Sequence, residues 1–267
     1  MISLELQPSE RLRPFVELYW YCATADENDD LSVGRIVPDG LMELVFQFAE
    51  PVSIQWAGKA AARQPNSVVV LQTRRYIDLM PQASMGMISV RFRPWGANAF
   101  VKSPLHPFAD QVVGAQEIWG SAIDRLENDL AESSSISGRV RLVEAFLMRH
   151  LAIEPGPGLE TLVRAVWAHK GNGQVSALCS ELGITERRLQ RVCARYIGMP
   201  PKQLLRVSRL LRACTILKCG RWQSLTGIAH DCGYYDQAHL NYDFRALVGL
   251  TPLAFHADQA ISYFAIE

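Results

Sequence analysis

Over the first hundred residues apolar and β-prone side chains come in short runs separated by turn residues, which predicts strands. Phe15–Thr24 is the longest aromatic run. Gly34–Ala49 carries Pro38-Asp39-Gly40, a turn signal between two β-prone segments. Ser53–Trp56, Ser67–Thr73, Tyr76–Leu79 and Met87–Arg93 are shorter candidates, and a short helix is expected over Ala97–Val101 after Pro94-Trp95-Gly96. The pattern then changes period. Ile118, Ala122, Leu126 and Leu130 form one helical stripe over Ala115–Ala131, and Val140, Val143, Leu147 and Leu151 form another over Ser137–Leu151. Strands followed by helices predict an α+β unit over residues 1–152, a β-rich barrel or sandwich with flanking helices.

Ile153-Glu154-Pro155-Gly156-Pro157-Gly158 suits neither helix nor strand and reads as a linker. Beyond it every periodic segment is helical: 159–169, 174–182, 185–197, 201–219, 224–231, 236–248 and 252–258. This predicts an all-α domain over 159–258, with 259–267 as a tail.

Charge sharpens that division. Residues 1–155 hold 14 Lys and Arg against 19 Asp and Glu, a balance of −5, whereas residues 156–267 hold 13 against 8, or +5. From Arg187 to Arg221 there are ten bases and no acid. Such a one-sign run repels itself unless a polyanion lies against it. Met1–Glu5 lacks a basic segment followed by an apolar core, and Leu41–Ala49 is too short to span a bilayer, so neither a secretory signal nor a membrane segment is expected, and a cytoplasmic location is. Five of the six cysteines sit at apolar helical positions of the last third, without CxxC spacing, and read as buried free thiols. The scattered histidines give no metal-ligand spacing. With no nucleophile triad, paired-carboxylate or phosphate-loop signature either, no metal, cofactor or enzymatic activity is expected.

The all-α part contains one pattern twice. Leu178-Cys179-x3-Gly183-Ile184, then Leu189, Cys193, Gly198 and Pro201, is echoed by Ile228-Ala229-x3-Gly233-Tyr234, then Leu240, Phe244, Gly249 and Pro252. The offset is 50 residues at the turn glycine and 51 from the second helix onward, so the second copy has one extra turn residue. Each copy has the parts of a helix-turn-helix unit: a small residue where the helices cross (Cys179, Ala229), a glycine for the turn, and an N-cap (Thr185, Asp236). In copy one, Leu189, Val192 and Tyr196 are expected inside, leaving Arg187, Gln190, Arg191 and Ala194 on one outward face. Arginine and glutamine there suit guanine and adenine edges in a major groove, and Arg188 and Arg195 suit flanking phosphates. Copy two offers Gln237, His239, Asn241 and Tyr242 around inward Leu240 and Phe244, with Arg245 as a phosphate candidate and Asp243 set against it. A helix from Pro201 to Cys219 would span about 28 Å at about 1.5 Å per residue, against about 34 Å between successive major grooves on one face of DNA.

In order and spacing, residues 159–258 resemble the double helix-turn-helix module of AraC-type transcription regulators. The most specific likeness is Ile228-Ala229-His230-Asp231-Cys232-Gly233-Tyr234 followed by Phe244-Arg245-x3-Gly249-Leu250-Thr251-Pro252. The resemblance implies bacterial origin, base contacts from Arg187, Gln190 and Arg191 and from Gln237, His239, Asn241 and Tyr242, double-stranded DNA as partner, and a role such as that of an activator. Departures are Cys193 at an aromatic position, and Tyr242, where arginine is frequent, followed by Asp243.

Leu12-Arg13-Pro14-Phe15 with Tyr19-Trp20, Ile36–Gly40 with Glu43-Leu44, and Val90–Pro94 resemble a sensor or dimerisation domain joined to such modules. Arg35, Asp39, Glu43, Arg91 and Arg93 then have two readings: a ligand pocket whose arginines meet an anion, or a turn with internal Arg–carboxylate pairs, the commoner case. Trp20, Trp56 and Trp95 are either pocket walls or core. The leading expectation is a regulator gated by a small-molecule effector. A constitutive regulator whose N-terminal domain only dimerises is the alternative, and an enzyme carrying a DNA-binding appendage ranks last. RNA polymerase and a second copy of the chain are further partners this leaves open.

Overall fold

A computed structural model describes residues 2–25, 33–81, 84–101, 111–152, 164–165, 174–258 and 261–262. The expected linker and the helix expected at 159–169 lie almost wholly outside the described residues.

The N-terminal strands are β1 (Ile2–Leu6), β2 (Val16–Ala23), β3 (Gly34–Ile36), β4 (Glu43–Gln47), β5 (Ser53–Trp56), β6 (Ala62–Arg63), β7 (Ser67–Val70), β8 (Ile77–Met80), β9 (Gly86–Phe92) and β10 (Val112–Gly114). A six-stranded sheet runs β1-β2-β9-β4-β7-β10, and a five-stranded sheet runs β11-β3-β8-β5-β6, where β11 is Ile261–Ser262 near the C-terminus. Of the two expected forms, the sandwich is the one found; the sheets remain separate and close no barrel.

Period-2 alternation builds the layers. On β4, Leu44 and Phe46 point into a core shared with the helices, while Val45 faces the second sheet. On β9, Ile88, Val90 and Phe92 join the helix side and Met87 the sheet side, so the whole strand is buried. The helices closing the first core are α1 (Ala115–Trp119), α2 (Ala122–Glu132) and α3 (Ile136–His150). The single helix expected over 115–131 is broken at Gly120, whose φ of 59° leaves the helical region.

The C-terminal helices are α4 (Val175–Leu182), α5 (Glu186–Val192), α6 (Pro201–Cys219), α7 (Leu225–Asp231), α8 (Gln237–Leu247) and α9 (Pro252–Ala257), with a π-helical turn over Cys193–Ile197. Proline at its first turn and Gly220 at its end (φ 68°) set the bounds of α6. It supplies Leu204, Leu205, Val207 and Leu211, mostly from its N-terminal half, to one core with α4 and α5. Leu210, Ala213, Cys214 and Leu217, from its middle onward, go to another with α7, α8 and α9. One helix thus carries the cores of both helical pairs.

The two domains touch at both pairs. Trp95 is buried in the core of α4, α5 and α6, and Asn98 donates from Nδ2 to the Tyr196 carbonyl at 2.6 Å. Val37 is buried in the second core, and Arg35 donates to the Val248 carbonyl at 3.2 Å while paired with Asp78 at 2.7 Å. The expected tail contains β11, which adds to β3 in parallel register, Ile261 opposite Arg35.

Candidate nucleic-acid interface

The first unit is α4, a turn and α5. Gly183 holds the left-handed conformation (φ 62°) that the turn requires. Thr185 caps α5, its hydroxyl accepting from the Arg188 amide at 3.2 Å. Leu189 and Cys193 are fully buried against Leu178 and Cys179. Arg187, Arg188, Gln190, Arg191 and Arg195 are all exposed, so the structure places every named polar side chain of this unit in solvent on or beside α5. Ala194 is half-buried, because it lies on the π-helical turn rather than on a continuation of α5.

The second unit is α7, a turn through Gly233 (φ 77°) and α8. Asp236 caps α8, its Oδ1 accepting from the His239 amide at 2.7 Å. Leu240 and Phe244 are fully buried, as expected. Of the four base-reading candidates only Tyr242 is freely exposed, at 67%. Gln237 is half-buried and accepts the Thr226 hydroxyl on Oε1 at 3.1 Å. His239 is half-buried with its ring 5.2 Å from that of Tyr234, and its Nδ1 accepts the Tyr235 amide at 3.5 Å. Asn241 is half-buried, and Arg245 is exposed.

Asp243 does not face Arg245 across the surface. It is 1% exposed and ion-paired with Arg206 of α6 at 2.8 Å. The pair ties the second recognition helix to the linker helix. The 51-residue offset carries the signal, since it matches Asp243 to Val192, an inward position of the first copy.

The basic run therefore divides. Arg187, Arg188, Arg191, Arg195, Lys202 and Arg221 are exposed. On α6, Arg206 is spent on Asp243, Arg209 lies 5.6 Å from the Tyr234 ring centre, and Lys218 donates to the Asp258 carbonyl. The electrostatic surface is concentrated on the first unit more strongly than the residue count suggests.

In the N-terminal domain a cavity lies between the two sheets, with about 630 Å³ of empty space, part of it open to solvent. Trp20, Val37, Leu79 and Met87 are among its apolar walls, and Asp39 and Glu43 supply the charged lining. The arginines are elsewhere. Arg91 is 1% exposed and turned toward Glu17 (3.3 Å), Asp39 and Glu43 (2.6 Å). Arg35 holds Asp78, and Arg93 donates to the Arg13 carbonyl at 2.8 Å. This is the internal-pair arrangement; among the described residues the cavity lining includes no guanidinium. Burial raises the Glu17 and Glu43 carboxyls above their ordinary range, with Arg91 pulling both back down. Of the tryptophans, Trp20 lines the cavity, Trp95 sits in the domain interface and Trp56 packs on the sheet-to-sheet core.

Five cysteines are buried and Cys219 is exposed, an exception to the expected burial. Burial pushes the Cys193 thiol up to about 12 and Cys232 to about 11, which suppresses thiolate chemistry. Among the described residues no helix is long and apolar enough to cross a membrane.

Residues 4–114 match the family model of a domain of unknown function, DUF6597, and residues 178–258 match that of a helix-turn-helix domain. No curated protein matches the chain. Among solved structures, ToxT from Vibrio cholerae is 10% identical with a TM-score of 0.48, over 89% of this chain and 98% of that one. A ToxT structure described as bound to an unsaturated fatty acid is 11% identical, with a TM-score of 0.44, over 88% of this chain and 94% of that one. The C-terminal domain of AraT, a response regulator from Geobacillus stearothermophilus, is 19% identical with a TM-score of 0.36, over 41% of this chain and 91% of that one. The matched domains, in this order, place an AraC-type helix-turn-helix domain behind a DUF6597 domain.

Proposed function

We propose that this regulator binds DNA through two helix-turn-helix units in adjacent major grooves, and that a small ligand in the N-terminal cavity gates that binding. The observation carrying the reading is α6. Its 19 residues, about 28 Å long, hold the cores of both units, so the recognition helices α5 and α8 are fixed at its two ends. A reach somewhat below the groove repeat of about 34 Å favours bent DNA or unequal insertion of the two helices. Arg187, Gln190 and Arg191 read bases in the first groove, with Arg188 and Arg195 on the backbone.

Gating is supported by a shared wall. Val37 lines the cavity and is also buried in the core of the second unit, and its neighbour Arg35 bonds the carbonyl that ends α8. A ligand that shifts Val37 changes how the second unit is held, which gives it the differential contact that control requires. The proposed role is non-enzymatic.

Selection of the full chain against random duplexes tests this reading. Enrichment of one sequence family is expected, with affinity falling steeply between 50 and 200 mM salt as counterions are released. Small molecules that raise the melting temperature are then added to the same assay; a change in DNA affinity is expected. No enrichment over random DNA overturns the DNA-reading proposal, and stabilising ligands that leave DNA affinity unchanged overturn gating.

A further inference from the structure

Side chains along α8 divide by exposure. Leu240, Asp243, Phe244 and Leu247 are buried, and Ala238, Tyr242 and Arg245 are exposed. Positions 238, 242 and 245 follow i, i+4, i+7 spacing and form one stripe. Tyr235, the extra turn residue of the second copy, stands just before it and is 86% exposed. Two of the six large apolar side chains exposed among the described residues, Tyr235 and Tyr242, therefore sit on this one hairpin.

The repeat shows what this stripe replaces. At an offset of 51, Arg187 corresponds to Ala238, Gln190 to Asn241 and Arg191 to Tyr242. The positions that present hydrogen-bonding groups to base edges in the first unit present a methyl group, a half-buried amide and a phenol ring in the second. Gln237 and His239, the polar residues that remain nearby, are held by Thr226 and by the turn.

We propose that the second unit reads the C5-methyl groups of thymines through Ala238 and Tyr242, with Tyr235 covering the groove edge. This rests on the two-unit DNA reading above. In the major groove thymine is the base that offers an apolar group, and apolar side chains distinguish it by contact. The stripe occupies the repeat positions that match Arg187 and Arg191 of the first unit, which commits its occupant to duplex DNA. Burying one methyl contributes about 0.8 kcal/mol, or about fourfold in affinity.

The test uses the full chain and the operator obtained by selection. Each thymine is replaced in turn by deoxyuridine, which removes only the methyl group. Replacement in the half-site of the second unit is expected to weaken binding about fourfold per contacted methyl. In the Tyr242→Ala protein, whose substitution is on the surface, that sensitivity is expected to vanish at the thymine facing Tyr242, while the sensitivity at the thymine facing Ala238 and any at the first half-site remain. Wild-type affinity that is indifferent to every deoxyuridine, or an unchanged sensitivity in Tyr242→Ala, overturns the proposal while leaving DNA binding intact. Failure of the chain to select any operator would instead strike the two-unit reading beneath it.

Discussion

Arg91→Ala is expected to destabilise the N-terminal domain by about 3–5 kcal/mol, because it removes the cation from a buried charge cluster. The guanidinium is 1% exposed and meets carboxylates from three parts of the chain: Glu17 on β2, Asp39 in the turn after β3, and Glu43 on β4. Without it the carboxyls must stay charged in a poorly hydrated site or take up protons. The half-buried Glu17 and Glu43 already sit above the ordinary carboxylate range because both are partly withdrawn from water. A carboxyl whose folded pKa is raised holds protons better in the folded state, so stability falls as pH rises from the unfolded value through the raised one. Deleting Arg91 raises both carboxyls further. The loss is therefore expected to be largest near pH 7 and to shrink toward about pH 5. Urea unfolding at the two pH values measures it. Arg91→Lys is expected to recover only part of the stability, since one ammonium does not reproduce the fork that meets two carboxylates. A loss below about 1 kcal/mol, the range of an exposed pair, would show that the cluster is solvated.

Arg206→Ala is expected to cost about 3–5 kcal/mol in the helix-turn-helix domain, and Asp243→Ala less. The asymmetry follows from exposure. Asp243 is 1% exposed and is left as a buried charge without its cation when its partner is lost, whereas the Arg206 side chain is 27% exposed and can be rehydrated. From the sequence alone Asp243 is set against Arg245 and leaves the second unit poor in charge. In the structure it is buried and paired with Arg206 instead. The pair anchors α8 to α6, and Asp243→Ala is expected to lower stability without tightening binding to the selected operator. Unfolding curves and binding constants on the same two variants separate the cases, and tighter DNA binding by Asp243→Ala would place the carboxylate on the DNA side.

The helices were legible because period and punctuation agree. Pro201 and Gly220 delimit α6 at the bounds the pattern predicts, and Gly183 and Gly233 stand where each turn requires positive φ. The long strands were legible too, since Phe15–Thr24 and Met87–Arg93 are β-prone over most of their length. What escaped depends on distant partners. β1 is exposed over most of its length, β6 spans two residues, and β11 exists only where β3 lies beside it. Val37 looks like any strand residue until the second unit packs on it. The exposed face of α8 was present in the sequence, because the offset of 51 from Arg187, Gln190 and Arg191 leads to Ala238, Asn241 and Tyr242. Gln237 and His239 stand out in the sequence by their polarity, but their local bonds to Thr226 and to the turn are visible only in the fold.

In the proposed reading two recognition helices, unequal in chemistry, are held at a fixed separation by one helix. Hydroxyl-radical footprinting of the full chain on its selected operator tests it most directly. Two protected patches are expected on one face of the duplex, centred about 10 base pairs apart. Arg191→Ala is expected to relax base preference at one position in the patch of the first unit, by about 1–3 kcal/mol of discrimination, and to leave the second patch in place. A single protected patch, or two patches on opposite faces of the DNA, would contradict it.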